Sequence, residues 1–212
     1  MFREPLHLSP VLHVLRIFPK NIPGLKPMAV DRFIPMKEAL ILASGSDIRA
    51  SLLRSAGVGI RIERPRVDED SLRLALEAEN ATPRDVADTL AEYKARRISD
   101  KFPDLPVLGC DQVLAFDGRI YAKPGSIAEA RDQLCVLRGQ RHQLLSAAVI
   151  YEAGKPVWRH VGTARLLMRD FSDSYLDDYL NRHWDSIRHS VGGYKLEEEG
   201  VRLFSRIEGD HF

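Results

Sequence analysis

The sequence predicts an α/β fold built on a mixed β-sheet. Two observations lead there. Short apolar runs and capped amphipathic helices mix from Ala39 onward, and two long strands joined by a tight turn lie late in the chain. Strands separated by helices pair in parallel, whereas a long hairpin is antiparallel, so one sheet must hold both kinds of pairing.

The elements follow in order. Leu40–Ala43 is an apolar run that reads as a short buried strand. Ser46 or Ser44 can cap a helix running to about Ala56, with Ile48, Leu52, Leu53 and Ala56 expected on its apolar face and Gly57 at its end. Residues 58–63 read as a second strand, residues 65–70 as a loop rich in carboxylates, and residues 71–79 as a short helix. Thr82 caps the next helix, with Pro83 at its first position and Asp85 three residues after the cap. Val86, Leu90 and Tyr93 mark its apolar side to about Ile98. Val107–Phe116 is a strand and Asp117-Gly118 a hairpin turn. Ser126 and Glu129 form a capping box that opens a helix carrying Ala130, Leu134 and Leu137, closed by Gly139. The long strands are 143–151 and 156–168. Ser172 caps a helix carrying Tyr175, Leu176, Tyr179 and Leu180, and residues 191–207 read as strand and loop around Gly192-Gly193.

Composition narrows the function classes. A chain of 212 residues suffices for one large domain or two small lobes. Its 31 basic and 30 acidic residues argue against bulk nucleic-acid binding, which needs a basic excess. Cys110 and Cys135, without paired spacing, support neither a disulfide framework nor a structural zinc site, so a cytoplasmic location is expected. No apolar run approaches a membrane span. Residues 1–36 hold Pro5, Pro10, Pro19, Pro23, Pro27 and Pro35 and show little periodicity. They are expected to form a disordered or loosely docked extension before a domain at 37–212.

Four segments can carry chemistry. In Ser44-Gly-Ser46, backbone N–H groups, hydroxyls and the helix dipole converge on one spot, with Arg49 beside them: an anion cradle, or simply a capped turn. Asp68-Glu69-Asp70 is either a solvated acidic loop or a source of oxygen ligands for Mg²⁺ or Mn²⁺. Asp111 interrupts an apolar strand, where a carboxylate is costly unless paired or metal-bound, which makes it the strongest single candidate. Lys123 follows the hairpin and can return a cation to the same mouth. In Gly192-Gly-Tyr194, Tyr194 can stack on a base or sit in the core, and Glu197 can accept hydrogen bonds from a base. Lys94, taken alone, is a snorkelling surface lysine.

Taken together and in this order, these segments resemble the Maf family of nucleoside triphosphate pyrophosphatases. The resemblance rests on Leu-Ala-Ser44-x-Ser46 with Arg49 and Leu52-Leu53, Val67-Asp-Glu69, Glu92-Tyr-Lys94-Ala, Leu108-Gly-Cys-Asp111-Gln112, Lys123-Pro124, Leu137-x-Gly139-x-x-His142 and Gly192-Gly-Tyr-Lys-Leu-Glu197. It covers about residues 38–209. It implies an elongated inosine-triphosphatase-type mixed sheet, two lobes around a cleft, and a homodimer. It also implies hydrolysis of a nucleoside triphosphate to monophosphate and diphosphate with a divalent cation. By position, Asp111 matches the proton acceptor. Ser44, Ser46, Arg49, Lys94 and Lys123 match phosphate-handling positions, and Glu69, with Asp111, the metal-linked ones. Ile48, Gln112 and Glu197 fall at positions that tune substrate choice. Gln112 and Glu197 are shared with the branch acting on 7-methyl-GTP, but Ile48 stands where that branch has Trp. Asp47 replaces the family's usual proline. The chain ends at Phe212, short of the Gly-Leu-Pro-Leu strand and final helix with which family members continue. These departures keep a second expectation open, a non-catalytic nucleotide-binding regulator of cell division. A local nucleic-acid binder is disfavoured by the balanced charge.

Overall fold

The computed structural model describes residues 40–209. The extension expected over residues 1–36 and the chain end beyond 209 lie outside that range. The described chain builds one sheet of seven strands with helices on both faces. Strand β1 (Leu40–Ala43) leads into helix α1 (Asp47–Ser55), then β2 (Ile60–Glu63), α2 (Glu69–Ala78) and α3 (Pro83–Ser99). Next come β3 (Val107–Phe116), β4 (Arg119–Tyr121) and α4 (Ile127–Leu137). The long strands β5 (Arg141–Glu152) and β6 (Lys155–Met168), helix α5 (Asp173–Ile187), two short 3₁₀ turns and β7 (Phe204–Gly209) complete the order.

The strand order is β2-β1-β3-β5-β6-β7, with β4 also on β3. The β2-β1-β3 pairs are parallel and the rest antiparallel, so the mixed sheet expected from the sequence is present. Four helices start at hydroxyl caps as read: Ser46, Thr82, Ser126 and Ser172 each accept from a backbone N–H three residues on. The β3–β4 turn places Asp117 and Gly118 at φ 50° and 71°, the positive pair that a tight hairpin demands.

Two expectations need correction. Helix α2 starts at Glu69, not Ser71, because Asp68 is spent as its cap, accepting from Ser71 N–H at 3.0 Å and Ser71 Oγ at 2.8 Å. The apolar faces of α1 and α3 are also narrower than the sequence pattern suggests. Ala50 is the buried residue of α1 while Leu52 is 42% exposed, and Tyr93 on α3 is 49% exposed.

Side chains alternate across the sheet, and its two faces are covered differently. One face of β3 carries Val107, Gly109, Asp111 and Val113, and packs under α3 with Ile41, Ala43, Ala147, Val149 and Val161. The other carries Leu108, Cys110, Gln112 and Leu114. At one end, Leu108 and Ile150 lie under α1 through Ala50. At the far end, Leu114, Leu144 and Leu166 lie under α4 and α5 through Leu134, Leu176 and Leu180. The two packed lobes leave the middle of this face bare, and a cleft of about 1120 Å³ opens there.

Candidate active site

The cleft lies where the edge partner of β3 changes. Strand β1 pairs with Val107–Gly109 and β4 with 114–116, so the β3 edge at 110–113 has no strand beside it. Such a break in strand order is where α/β sheets bind ligands. The β1–α1 turn, the start of α2 and the middle of α3 all converge on this gap.

Each polar group is placed by a local feature. Ser44 ends β1 and is 4% exposed. Its Oγ accepts from Ser46 N–H at 3.2 Å and from Arg49 Nη1 at 3.3 Å. Arg49 Nη1 also donates to the Cys110 carbonyl at 2.9 Å, on the unpaired edge of β3. One guanidinium therefore ties the cradle turn to the central strand and keeps donors free for an anion.

Lys94 is not the surface lysine that its sequence context alone suggests. It is 5% exposed, and its Nζ stands 2.6 Å from Asp111 Oδ1 and 3.0 Å from Glu69 Oε1. Helix α3 comes this near because Gly109 has no side chain: a Cβ there would lie 2.1 Å from the Ala91 carbonyl and 2.6 Å from Ala95 N. The helix is also anchored from outside. Glu92 accepts from Tyr151 Oη at 2.7 Å and from Arg159 Nη2 at 2.9 Å, and Arg159 also reaches Asp88 at 2.6 Å. Hydrogen bonding to Tyr151 holds the Glu92 carboxyl below its ordinary value.

Asp111 is 7% exposed. Burial pushes its carboxyl above the usual carboxylate range, while Lys94 and Arg49 pull it back. Burial likewise pushes the neighbouring Cys110 thiol up against the same two cations. Of the acidic run at 68–70, only Glu69 joins Lys94. Asp68 caps α2, and the Asp70 side chain is 84% exposed at 3.5 Å from Arg73.

Every catalytic, phosphate-handling, metal-linked and substrate-tuning residue named from the sequence lines this one cleft. Ser44, Ser46, Arg49, Glu69, Lys94 and Asp111 form its bonded polar centre. Ile48, Gln112, Lys123 and Glu197 stand around the rest of the wall. Gln112 Nε2 donates to Ser146 Oγ at 2.9 Å. Lys123 and Glu197 are exposed and make no ion pair among the described residues. Tyr194 leaves no face for a base. It is 3% exposed, bonds His142 Nε2 through its hydroxyl at 2.8 Å and packs edge-on to Phe204. Its core reading is the correct one. No sequence signal pointed to Ser146, Trp158 or His160, which also line the cleft. Which strand positions stay bare is decided by where the helices stop covering the sheet.

The charge balance constrains the ligand. Lys94 is matched by two carboxylates, so the centre is short of positive charge for a polyanion. Asp111 Oδ2 and Glu69 Oε2 make no hydrogen bond among the described residues. Two carboxylates with one spare oxygen each suit Mg²⁺ or Mn²⁺, which takes one or two protein carboxylates and completes its shell with phosphate and water. Among the described residues there is no group of three or more acidic, histidine or cysteine side chains that would hold a metal by itself.

A family model described as Maf-like protein matches residues 39–212. The chain belongs to the Maf family. It is 66% identical over 177 residues to a nucleoside triphosphate pyrophosphatase of Ruegeria pomeroyi, covering 84% of this chain and 89% of that protein. It is 50% identical over 171 residues to a nucleoside triphosphate pyrophosphatase of Caulobacter vibrioides, covering 81% and 85%. A 7-methyl-GTP pyrophosphatase of Rhizobium meliloti is 44% identical over 177 residues, covering 84% and 89%. The fold thus gathers the candidate site residues of the motifs that define the resemblance to the Maf family into one cleft, whereas the segment from Leu137 to His142 stays outside its lining. None of the described helices is long and apolar enough to cross a membrane.

Proposed function

We propose that this chain hydrolyses a nucleoside triphosphate to the nucleoside monophosphate and diphosphate. The observation that carries this reading is the buried Lys94–Asp111 pair, 2.6 Å apart, beside the Ser44–Arg49 cradle in one cleft. A buried ion pair is a poor source of stability compared with apolar packing, so its presence at a ligand-sized opening points to chemistry. The names of the relatives support the same reaction class.

In this reading, water attacks the α-phosphorus, the bond from that phosphorus to the bridging oxygen breaks, and diphosphate leaves with the electron pair. Asp111 accepts the proton of the attacking water. Its burial raises its basicity above that of an exposed carboxylate. Ser44, Ser46 and Arg49 hold the phosphate chain at the start of α1, where unpaired N–H groups and the helix dipole favour anions. Lys123 reaches the phosphates from the hairpin, and Lys94 keeps Asp111 ionised and oriented. A bound Mg²⁺ or Mn²⁺ would supply the missing positive charge, with Asp111 and Glu69 as its protein anchors. Ile48, Gln112 and Glu197 are the proposed base-selecting positions. A cytoplasmic location is supported by the unpaired Cys110 and Cys135. A homodimer is carried over on the family resemblance alone.

The test is a diphosphate-release assay over a panel of standard and methylated nucleoside triphosphates, with Mg²⁺, with Mn²⁺ and with chelator. Metal-dependent release of diphosphate from at least one of them is expected. Saturable nucleotide binding with no release under any condition would instead establish a non-catalytic regulator.

A further inference from the structure

Resting on the proposed reaction, we infer that Trp158, backed by His160, is the aromatic platform that receives the base of the nucleotide. The two side chains project from β6 at positions two apart, on the sheet face whose middle is bare, with Trp158 at the edge of the part that α1 covers. Their rings are nearly parallel, with an interplanar angle of 21° and centroids 6.1 Å apart. Both line the cleft. Trp158 is anchored on one side by the cluster under α1, which fixes its ring while leaving it half-buried rather than sealed.

The sheet register sets the platform against the phosphate cradle. Cys110, whose carbonyl holds Arg49, pairs with Ala148, and Ala148 pairs with His160. Leu108 pairs with Ile150, and Ile150 with Trp158. The aromatic pair therefore stands two strands from the Arg49 anchor, about 10 Å at the usual strand spacing. That is the span from the phosphate chain of an extended nucleotide to its base. Ile48 and Leu52 project into the cleft from successive turns of α1, and Leu52 is 42% exposed, unusual for a leucine with a core close by. Apolar side chains and an indole lining one cleft can enclose a flat π-system. Tyr194, the other aromatic that the sequence offered for stacking, is buried against Phe204 and His142 and cannot serve. Ile48 brings no aromatic ring to the cleft, so Trp158 supplies the π-face from β6.

A test is available because the chain has two tryptophans, Trp158 and Trp184. With Trp184→Phe, fluorescence reports on Trp158 alone. Adding a nucleoside triphosphate should quench that emission, whereas inorganic tripolyphosphate, which fills the cradle without a base, should not. In the otherwise native chain, Trp158→Ala should raise KM for the preferred nucleotide about tenfold with a much smaller change in kcat, and Trp158→Phe should recover most of the loss. Equal quenching by tripolyphosphate and nucleotide, or unchanged KM in a folded Trp158→Ala protein that still turns over, overturns the platform and leaves the proposed reaction standing. Absence of turnover in the native chain, by contrast, counts against the reaction itself.

Discussion

The backbone of Ala91 occupies the space that a side chain at Gly109 would need: a Cβ at 109 would lie 2.1 Å from the Ala91 carbonyl oxygen. This contact sets the depth of α3 on the sheet, and with it the reach of Lys94 to Asp111, which lies two residues beyond Gly109 on the same face. The obstructing atoms are backbone, so no rotamer change relieves the clash. Gly109→Ala is expected to destabilise the fold by about 2–4 kcal/mol, as overpacking in a tight core does. It should also lower activity in whatever protein remains folded. Chemical denaturation and diphosphate release on the same sample check both parts.

Lys94 and Asp111 should behave asymmetrically toward stability and activity. Lys94→Ala leaves a buried carboxylate without its main partner and is expected to cost about 3–5 kcal/mol. The double variant Lys94→Met, Asp111→Leu removes both charges and should regain much of that stability while remaining inactive. Urea unfolding of the single and double variants measures the difference. A double variant no more stable than Lys94→Ala would show that the pair is structural.

Asp111→Asn keeps shape and leaves Lys94 its Glu69 contact at 3.0 Å. Loss of a general base typically costs about 10²–10⁴-fold in rate. Diphosphate release should fall by that order with the melting temperature little changed. Near-native turnover would remove Asp111 from the chemistry.

Much of the fold was legible because its signals are local. Thr82-Pro83, Ser126, Ser172 and Asp117-Gly118 each act on the backbone within a few residues, and each stands where it was read. What failed depends on distant partners. Asp68, read with its neighbours as either solvated or a source of oxygen ligands, instead caps its own helix. Leu52 and Tyr93 fit a helical apolar stripe, yet both are exposed, while the sheet covers Ala50 on α1 and Leu90, Ala91 and Ile98 on α3. Lys94 reads as exposed by its neighbours, and its burial follows from Asp111, a strand away in the fold. Trp158 had no signal at all. The parity of β6 shows which residues share a face, but not where the helices leave that face bare.

His142 makes stability depend on pH. Burial lowers its pKa from 6.5 to about 4, with its Nε2 on the Tyr194 hydroxyl and its Nδ1 unpartnered. The folded state therefore keeps it neutral, while the unfolded chain takes up a proton below its ordinary pKa. The contribution is complete above 6.5 and is lost as pH falls toward 4, on the order of 3 kcal/mol in all. His142→Gln should be less stable than the native chain at pH 7, and that gap should shrink by pH 4.5. Paired denaturation curves at the two values check this, the carboxylates common to both proteins cancelling in the difference.

The central claim is that water attacks the α-phosphorus in the Lys94–Asp111 cleft. Hydrolysis of the preferred triphosphate in ¹⁸O-enriched water tests it most directly, with the products resolved by mass spectrometry. One ¹⁸O atom in the monophosphate and none in the diphosphate is the predicted result. Label in the diphosphate, or release of inorganic phosphate with a nucleoside diphosphate, would contradict it.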